Sequence, residues 1–494
     1  MTAVTAYARA RAAAAGVAQP IATVRHLHIA DRPLVLVPLT LAGEANAPLA
    51  ALAGTDPARP TLLVVPQPRD RDLRFAFAAR LAAVVIGYVD SFAREVEPHR
   101  DGVRFTDAPQ LLVPNPGGLD FVRLFGRSTR FRRTTGPYPV EPGVPLLGRW
   151  LTWFAERAEH PGSSALLAAT DALALHWATG QSAVEDANLA ALLGWLTPPP
   201  GSTGPAAARL AEDPRVWPPA GPATDPAFDT EVLTPAIAAY GASPADSPAR
   251  DRALSELVEA LRGQLEPTWR LMWHAVALLR TVPAGASVAG RWAVDRSRFT
   301  EHYHHVAGGG PPQARRDGAV AAARRLSWLE KEQAGYEAER SFDDPLVMAG
   351  HRVAGEAFAG TVVEVDRDRR VPGGKGRLVT RPLVTVRTPD PVHLAVGVAV
   401  VATTRRRQTA SVVSVAASVS ETFLTLELSG GMGRAAVPPP GAVPEIGEEL
   451  CYTSVLPENV PAPGLPAVED TPWTHGGPPA PYVPTDDDAR EVWE

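Results

Sequence analysis

The hydrophobic pattern of this chain changes from a helical to an alternating period near Ala357, and that change limits the folds open to it. In residues 227–356, just before this point, apolar residues recur at three- and four-residue spacing, which is typical of amphipathic helices. After it apolar and polar residues alternate in short stretches that Gly and Pro residues separate, which is typical of short strands. The predicted strands are 358–365, 383–386, 396–401, 410–415, 422–428 and 449–455. Six short strands in about 100 residues predict a small β-barrel or sandwich.

The strand pattern at 357–456, with the turn Val443–Glu448 before its last strand, resembles the small barrels of the OB and SH3-like kind. It also resembles the small barrel carried on helices in some superfamily-1 helicases. The resemblance covers about a fifth of the chain. It implies a closed barrel whose loops contact a nucleic-acid strand.

Residues 1–140 combine short apolar runs with one helical pattern. Leu34–Val37, Leu62–Val65 and Leu111–Val113 are brief runs, and prolines follow them, which is typical of buried strands. Leu73–Tyr88 lies between the second and third runs and has a helical pattern. Strands around a helix favour a mixed α/β layer.

The middle of the chain is predicted to be helical. Helical patterns cover 146–154, 166–177, 183–195, 254–265 and 314–340. Ser247 followed by Pro248 is a signal for a helix start, with proline at the first helical position. Pro267 is predicted to begin a further helix.

These patterns predict an α+β, multi-domain protein. The expected parts are a mixed α/β unit at 1–140, a helical unit at 141–196, a Pro/Gly-rich linker at 197–226, a second helical unit at 227–356, a small β-barrel at 357–456 and a Pro-rich acidic tail at 457–494. At about 100–200 residues per domain, the length of 494 residues fits several domains.

Lysine is almost absent, because only Lys331 and Lys375 of the 48 Lys and Arg residues are lysine. We interpret this skew as that of a GC-rich bacterial genome, so arginine enrichment alone does not indicate function. A Walker A loop needs lysine followed by Ser or Thr, and a Schiff-base lysine needs an apolar pocket. Neither lysine has such flanks, which argues against a P-loop ATPase and a pyridoxal phosphate enzyme.

The single cysteine, Cys451, excludes an internal disulfide and a multi-cysteine metal site, and suits a reducing compartment. The N-terminus lacks the compact apolar segment of a signal peptide, and the chain has no apolar run of about 18 residues. We therefore expect a cytoplasmic protein that has no membrane contact and needs no cofactor.

Charge is unevenly distributed along the chain, although the formal net charge is only −6. Residues 1–140 hold 17 Arg against 11 acids, and residues 366–407 hold ten Lys or Arg against three acids. Residues 457–494 hold one Arg against eight acids. A basic front, a basic barrel and an acidic end are therefore expected.

A first group of arginines in the basic front is a candidate nucleic-acid-binding site. Arg123, Arg127 and Arg130 are spaced to share one helix face, and Arg132 and Arg133 follow directly. The interleaved phenylalanines are Phe121, Phe125 and Phe131. Guanidinium groups fit phosphates, and aromatic rings stack on unpaired bases. The alternative is a solvated surface whose phenylalanines lie in the core.

A second group, Arg405, Arg406 and Arg407, lies in a predicted β-turn of the barrel. Loops of small barrels are where such folds hold nucleic-acid strands. The nearby basic segment, Arg367–Arg387, would add positive charge. The alternative is again a solvated surface in an arginine-biased chain.

His302 and His305 are candidate metal ligands, because they lie three residues apart on a predicted helix. Asp295 or Asp317 could supply a third ligand. We favour the alternative, in which the imidazoles lie at the negative end of the helix dipole.

Four acids near the predicted strand ends of the front are candidate catalytic residues of a nuclease: Glu44, Asp56, Asp70 and Asp72. Carboxylates at strand ends hold Mg²⁺ for such chemistry. Asp70 and Asp72 alternate with Arg69 and Arg71, however, so local ion pairing is the simpler account.

The tail combines prolines, an acidic run and the aromatic residues Trp473, Tyr482 and Trp493. Its layout resembles the acidic, aromatic-ended tip of single-stranded DNA-binding proteins, which implies recruitment of a protein partner. The alternative is a strap that packs across its own barrel.

The leading hypothesis is a non-enzymatic, nucleic-acid-associated adaptor that works with a protein partner, such as an ATP-driven motor. It depends on the charge distribution, the barrel and the lack of a complete catalytic signature. The first alternative is a Mg²⁺-dependent nuclease that uses the front acids. The second is a structural assembly subunit that binds protein only.

Overall fold

The computed structural model describes residues 2–44, 47–100, 102–315, 317–373, 378–418, 420–432, 438–456, 464–467 and 470. Its contacts form two compact units. The sheet unit comprises the described residues of Ala8–Pro20, Val24–Leu329 and Pro463–Glu494. The barrel unit comprises the described residues of Met1–Tyr7, Ile21–Thr23 and Glu330–Ala462. The finer division expected from the sequence stays a prediction.

The secondary structure is mixed α+β. In chain order the strands are β1 (Gln19–Pro20), β2 (Leu34–Thr40), β3 (Pro48–Gly54), β4 (Thr61–Val64), β5 (Val96–His99), β6 (Gly102–Phe105), β7 (Leu111–Val113), β8 (Leu166–Ala168), β9 (Trp177–Ala178), β10 (Ala357–Asp366), β11 (Arg370–Pro372), β12 (Leu378–Thr380), β13 (Leu383–Thr388), β14 (Ala399–Ala402), β15 (Thr409–Ala417), β16 (Thr422–Leu428) and β17 (Glu449–Thr453).

The helices are α1 (Ala3–Ala15), α2 (Arg71–Asp90), α3 (Pro116–Thr129), α4 (Gly143–Ala158), α5 (Ala169–Ala174), α6 (Ala183–Asp186), α7 (Leu189–Leu196), α8 (Gly204–Glu212), α9 (Pro226–Phe228), α10 (Thr234–Ala242), α11 (Pro248–Thr281), α12 (Val288–Ala307), α13 (Ala319–Asp343) and α14 (Pro345–Val353). A π-helical turn, Asp229–Leu233, connects α9 to α10. None of the described helices has both the length and the apolar character that crossing a bilayer requires.

A five-stranded mixed sheet, in the order β4-β3-β2-β7-β8, forms the centre of the sheet unit. The first three strands pair antiparallel, and β7 pairs parallel to β2 and β8. The three strands predicted in the front are present as β2, β4 and β7. Strand β3 was missed because its sequence, PLAALAG, lacks the β-branched and aromatic residues that mark strands.

Both faces of this sheet are covered by helices, because successive side chains of a strand point to opposite faces. On β2, Leu34 and Leu36 belong to a core with residues of α2, α3, α4 and α12. Val35 and Val37 belong to a second core with residues of α5, α7 and α11. Helices of the middle of the chain therefore share cores with strands of the front.

The prediction of a helix over 166–177 is wrong at both ends, since Trp177 begins strand β9. Leu166–Ala168 forms strand β8, which pairs in parallel with β7 and is buried along its length. A short, continuous apolar run has no periodicity that separates a buried strand from a buried helix. Only the segment after it, α5, is helical.

The prediction that Pro267 begins a helix is also wrong, because α11 runs through it without a break. Proline removes one backbone hydrogen bond and crowds the carbonyl four residues earlier, which here belongs to the exposed Gly263. The buried stripe of α11 continues across the proline from Leu265 to Trp269. Packing of this stripe against the sheet unit core stabilises the uninterrupted helix.

The barrel unit contains a closed six-stranded barrel in the order β10-β13-β16-β15-β14-β17. Each of the six predicted strands is present, and β11–β12 add a separate hairpin. Alternating side chains fill the interior, with Phe358 stacked on Tyr452 at a ring-centroid distance of 5.6 Å. The closed barrel is confirmed, while its OB or SH3-like identity stays a prediction.

Candidate nucleic-acid interface

The three consecutive barrel arginines lie in the turn between β14 and β15. The Gln408 N–H donates to the Arg405 carbonyl at 2.7 Å, and the Arg405 N–H donates to the Ala402 carbonyl at 3.0 Å. These two bonds close successive tight turns, as the sequence predicts. The turn projects Arg405, Arg406 and Arg407 from the end of the barrel at which β14 stops.

A depression of about 480 Å³ opens beside this turn. Besides the three arginines, it is lined by Thr403, Thr404, Gln408, Gly431, Gly441 and Ala442. Gly431 has a φ of +73°, and a Cβ there would stand 2.9 Å from the Gln408 Cα. Only glycine allows the two loops to approach this closely. The sequence predicted the arginines as a site, whereas Gly431 and Gly441 had only the pattern of turn residues.

The guanidinium groups in the depression differ in how far they are already engaged. Arg405 donates to both carboxylate oxygens of Glu448, at 2.7 and 3.0 Å, and also to the Gly441 carbonyl. Arg406 lies 5.0 Å over the Phe342 ring, and its guanidinium is 3.4 Å from Asp343. Arg407 is exposed, and no described residue accepts a hydrogen bond from its side chain.

The positive charge expected along 366–407 is largely neutralised elsewhere in the barrel unit. Arg369 and Arg381 both face Glu427, the former at 2.6 Å. Arg387 lies 3.9 Å from Glu421. Within the turn, Arg405 and Arg406 also face acids, Glu448 and the buried carboxylate of Asp343, whereas no described carboxylate pairs with Arg407. Lys375 and Arg377 lie outside the described residues.

The structure separates the arginines of the front that the sequence places together. Arg123 and Arg127 are exposed on α3, and Arg133 is exposed after it, but Arg130 and Arg132 are only 4% and 7% exposed. Arg130 donates to the carbonyls of Gln313 and Ala314 at 2.9 and 3.0 Å, and Arg132 donates to Ser128. Their guanidinium groups tie backbone segments together, so the five-arginine phosphate surface is not formed.

The interleaved phenylalanines are core residues. Phe121, Phe125 and Phe131 are each less than a tenth exposed, and Phe121 stacks on Phe125 at 5.3 Å. Rings that are buried in this way have no face to offer an unpaired base. The alternative stated for this segment, packing in the core, is the arrangement found.

The four candidate catalytic acids each serve a local structural purpose. Asp56 accepts from the Ala58 N–H and from Arg59, and these two donors hold its pKa below the ordinary value. Glu44 pairs with Arg69 at 3.0 Å, and Asp72 pairs with Arg71 at 2.7 Å. Asp70 is the N-cap of α2 and accepts from the Leu73 N–H. No cluster of three potential metal ligands occurs among the described residues.

The candidate metal ligands lie on α12, with ring centroids 6.2 Å apart. His305 bonds through Nε2 to the Pro311 carbonyl at 2.9 Å. His302 packs between Trp150 and Trp153, and burial lowers its pKa to about 3. Asp295, considered as a third ligand, accepts from Arg157, Ser163 and Ser164 instead. These contacts favour a packing role for His302 and a backbone hydrogen bond for the exposed His305.

The predicted partner-binding residues of the tail, Trp473, Tyr482 and Trp493, lie outside the described residues. Whether the tail binds a partner or packs on the barrel therefore stays a prediction.

The turn Arg405–Arg407 and its depression remain the best-formed candidate site of those that the sequence predicted. Comparisons of the chain with protein-family models, with curated proteins and with solved structures give no match.

Proposed function

We propose that the chain is a nucleic-acid-associated adaptor whose barrel unit holds backbone phosphates in the depression beside Arg405–Arg407. The observation that carries the proposal is the grouping of three guanidinium groups around one open depression of about 480 Å³. Arginine offers a planar set of donors that matches the geometry of a phosphate group.

The three arginines would contribute unequally. Arg405 is held by Glu448 and by the Gly441 carbonyl, so it shapes the wall of the depression. Arg406 is half exposed and bonds only weakly, at 3.3 and 3.4 Å, to Phe342 and Asp343. Arg406 and Arg407 can therefore turn toward an arriving phosphate without breaking a strong ion pair.

The chemistry of this depression favours backbone contacts over base recognition. None of the described residues that line it is aromatic, so these residues offer no platform on which a base could stack. Contacts to phosphates position a strand and carry no sequence information directly. We therefore expect binding that depends strongly on salt and little on sequence.

The adaptor part of the proposal rests on the tail. Residues 457–494 carry eight acids and one arginine, opposite in sign to the phosphate-binding turn. Their prolines favour an extended conformation, which partner proteins bind at low entropic cost. A chain shortened after residue 470 should keep its affinity for nucleic acid and lose the partner. Loss of both, or of neither, would contradict this division of roles.

The test is a titration of labelled single-stranded and duplex DNA against Arg406→Glu/Arg407→Glu at low salt. The double variant should bind at least about tenfold more weakly than the unaltered chain, because each reversed charge removes an attraction and adds a repulsion. The single variant Arg407→Glu should also bind more weakly, and it should fold normally because no described residue bonds to this side chain.

The matched control is Arg209→Glu/Arg215→Glu, which makes the same charge change at two exposed arginines of the sheet unit. This control should bind as tightly as the unaltered chain. Equal weakening in both double variants would mean that only net charge matters, and unchanged affinity in both would remove the turn from the site. Cleavage that needs Mg²⁺ and is lost in Asp70→Ala or Asp56→Ala would support the nuclease alternative instead.

A further inference from the structure

A second depression, of about 380 Å³, lies in the sheet unit between helices α4, α12 and α13. It is lined by Trp153, Glu156, Arg157, His160, Arg298, Glu301, His302, His305 and Trp328. Two indole rings, two carboxylates, three imidazoles and two guanidinium groups thus surround one opening.

The two arginines of this depression already have acidic partners. Arg157 is 2.9 Å from Asp295, which is 1% exposed and also accepts from Ser163 and Ser164. Arg298 is 2.9 Å from Glu301. Their positive charges are therefore matched within the protein. The depression does not present an unopposed cation to an incoming anion.

Glu156 is the acid in the depression that lacks such a partner. No described residue makes a hydrogen bond or an ion pair with its carboxylate. The nearest opposing charge, on Arg325, is taken by Glu159 and by Asp317 at 3.4 Å. Burial raises the pKa of Glu156, although the charges of Arg325 and Arg130 oppose the shift, and no described group makes a direct polar contact with the carboxylate. A bound cation would supply that contact.

The walls of the depression suit a cation that carries apolar groups. Trp328 is 49% exposed, which leaves much of its ring available although Arg298 lies 5.4 Å from its centroid. Trp153 stacks on His302, whose imidazole is neutral at ordinary pH because burial lowers its pKa to about 3. Indole rings attract cations through their negatively polarised faces and also cover apolar surface.

We propose that this depression binds a small alkylammonium cation, with its charge beside Glu156 and its alkyl groups against the exposed ring of Trp328. The site is independent of the phosphate-binding turn. It would give the sheet unit a small-molecule ligand or a binding point for an alkylated ammonium group on a larger partner.

The experiment is calorimetric titration of the full chain with choline and, separately, with its neutral isostere 3,3-dimethylbutan-1-ol. The two probes have nearly the same shape, so a difference between them measures the contribution of the charge. Choline should bind at least about tenfold more tightly than the alcohol, the size that a desolvated cation–π contact and an unpaired carboxylate together allow.

Two variants and one control complete the test. Glu156→Gln removes the charge while keeping the shape, and Trp328→Ala removes the exposed ring; each should weaken choline binding by about tenfold. Leu326→Ala, at a 59% exposed position on the same helix, should leave it unchanged. Thermal unfolding of each variant confirms that it is folded. Equal affinity for the alcohol, full affinity in Glu156→Gln, or no heat with choline would overturn the proposal.

Discussion

At the scale of single residues, Asp295 on α12 shows how the sheet unit satisfies a buried charge. It accepts hydrogen bonds from Arg157, from the Ser163 hydroxyl and from the Ser164 N–H, at 2.7 to 2.9 Å. Both charges of this ion pair are buried. The pair joins α4, α12 and the segment before β8, so its cost of desolvation is offset only while both partners are present.

Replacing Asp295 by Asn should lower the free energy of unfolding by about 3–5 kcal/mol, because the guanidinium of Arg157 would stay buried without its counter-ion. Denaturant unfolding followed by circular dichroism measures the change. Asp120→Asn is the control, since Asp120 pairs with Arg123 where both side chains are more than half exposed. That exposed pair should contribute less than about 1 kcal/mol. Similar losses in the two variants would contradict this account.

We expect His28 to make the free energy of unfolding sensitive to acid. Its ring stacks on Trp292 at 4.1 Å, and burial lowers its pKa to about 4, although the carboxylate of Asp107 opposes the shift. The unfolded chain therefore binds a proton at His28 below about pH 6.5, which the folded chain does not bind until about pH 4. Stability is full above this window and falls as the pH is lowered through it.

The expected loss from His28 alone is about 1–2 kcal/mol between pH 7 and pH 5. His28→Gln should be less stable than the unaltered chain at pH 7 but should lose less stability on acidification. Melting temperatures measured at each pH give both slopes. Parallel slopes for the two proteins would show that His28 does not carry the effect.

Residue roles were only partly predictable because burial depends on contacts far along the chain. The run Arg405–Arg407 in a turn could be found from sequence, since its neighbours fix its conformation. The burial of Arg130 could not, because the carbonyls that it binds belong to Gln313 and Ala314, more than 180 residues later. Spacing alone put Arg130 on the same exposed face as Arg123.

At the scale of secondary-structure elements, α11 shows packing prevailing over local propensity. Pro267 interrupts the hydrogen bonding of a 34-residue helix that nevertheless stays continuous. Its buried residues on both sides of the proline, including Leu261, Met272 and Val276, belong to one core. A local rule about proline therefore predicts two helices where tertiary contacts maintain one.

Pro267→Ala should raise the free energy of unfolding by about 1–3 kcal/mol, because alanine restores the missing hydrogen bond and has the highest helix propensity. Pro248→Ala is the control, since Pro248 is at the helix start, where its missing N–H costs little. Chemical denaturation of the unaltered chain, Pro267→Ala and Pro248→Ala measures the three free energies of unfolding. A destabilised Pro267→Ala variant would mean that the proline ring makes packing contacts that outweigh the hydrogen bond.

The elements of the barrel were more predictable than those of the sheet. The barrel strands alternate between interior and exterior residues, so each has a two-residue period that the sequence displays. Strands β2 and β8 are buried on both faces and show only a continuous apolar run. The length of its apolar run and the proline after that run allowed β2 to be predicted as a strand. No local signal of this kind distinguished β8 from a helix.

At the scale of the whole molecule, the order of the sheet strands explains why the sequence did not predict which segments share a core. Strand β8 comes more than 50 residues after β7 and still pairs beside it in parallel. Helix α11 follows much later and covers the face of the sheet that carries Val35 and Val37. These long-range pairings leave no trace in local periodicity, whereas the barrel closes within one stretch of about 100 residues.

The central claim, that the barrel turn binds backbone phosphates, is tested most directly by the salt dependence of binding to single-stranded DNA. The logarithm of the association constant should fall linearly with the logarithm of salt concentration, by roughly 0.7 per neutralised phosphate. Arg406→Glu/Arg407→Glu should lower both the affinity and the magnitude of this slope, the latter by about 1.4 if each arginine holds one phosphate. A slope and affinity equal to those of the unaltered chain, or no binding by that chain at low salt, would contradict the claim.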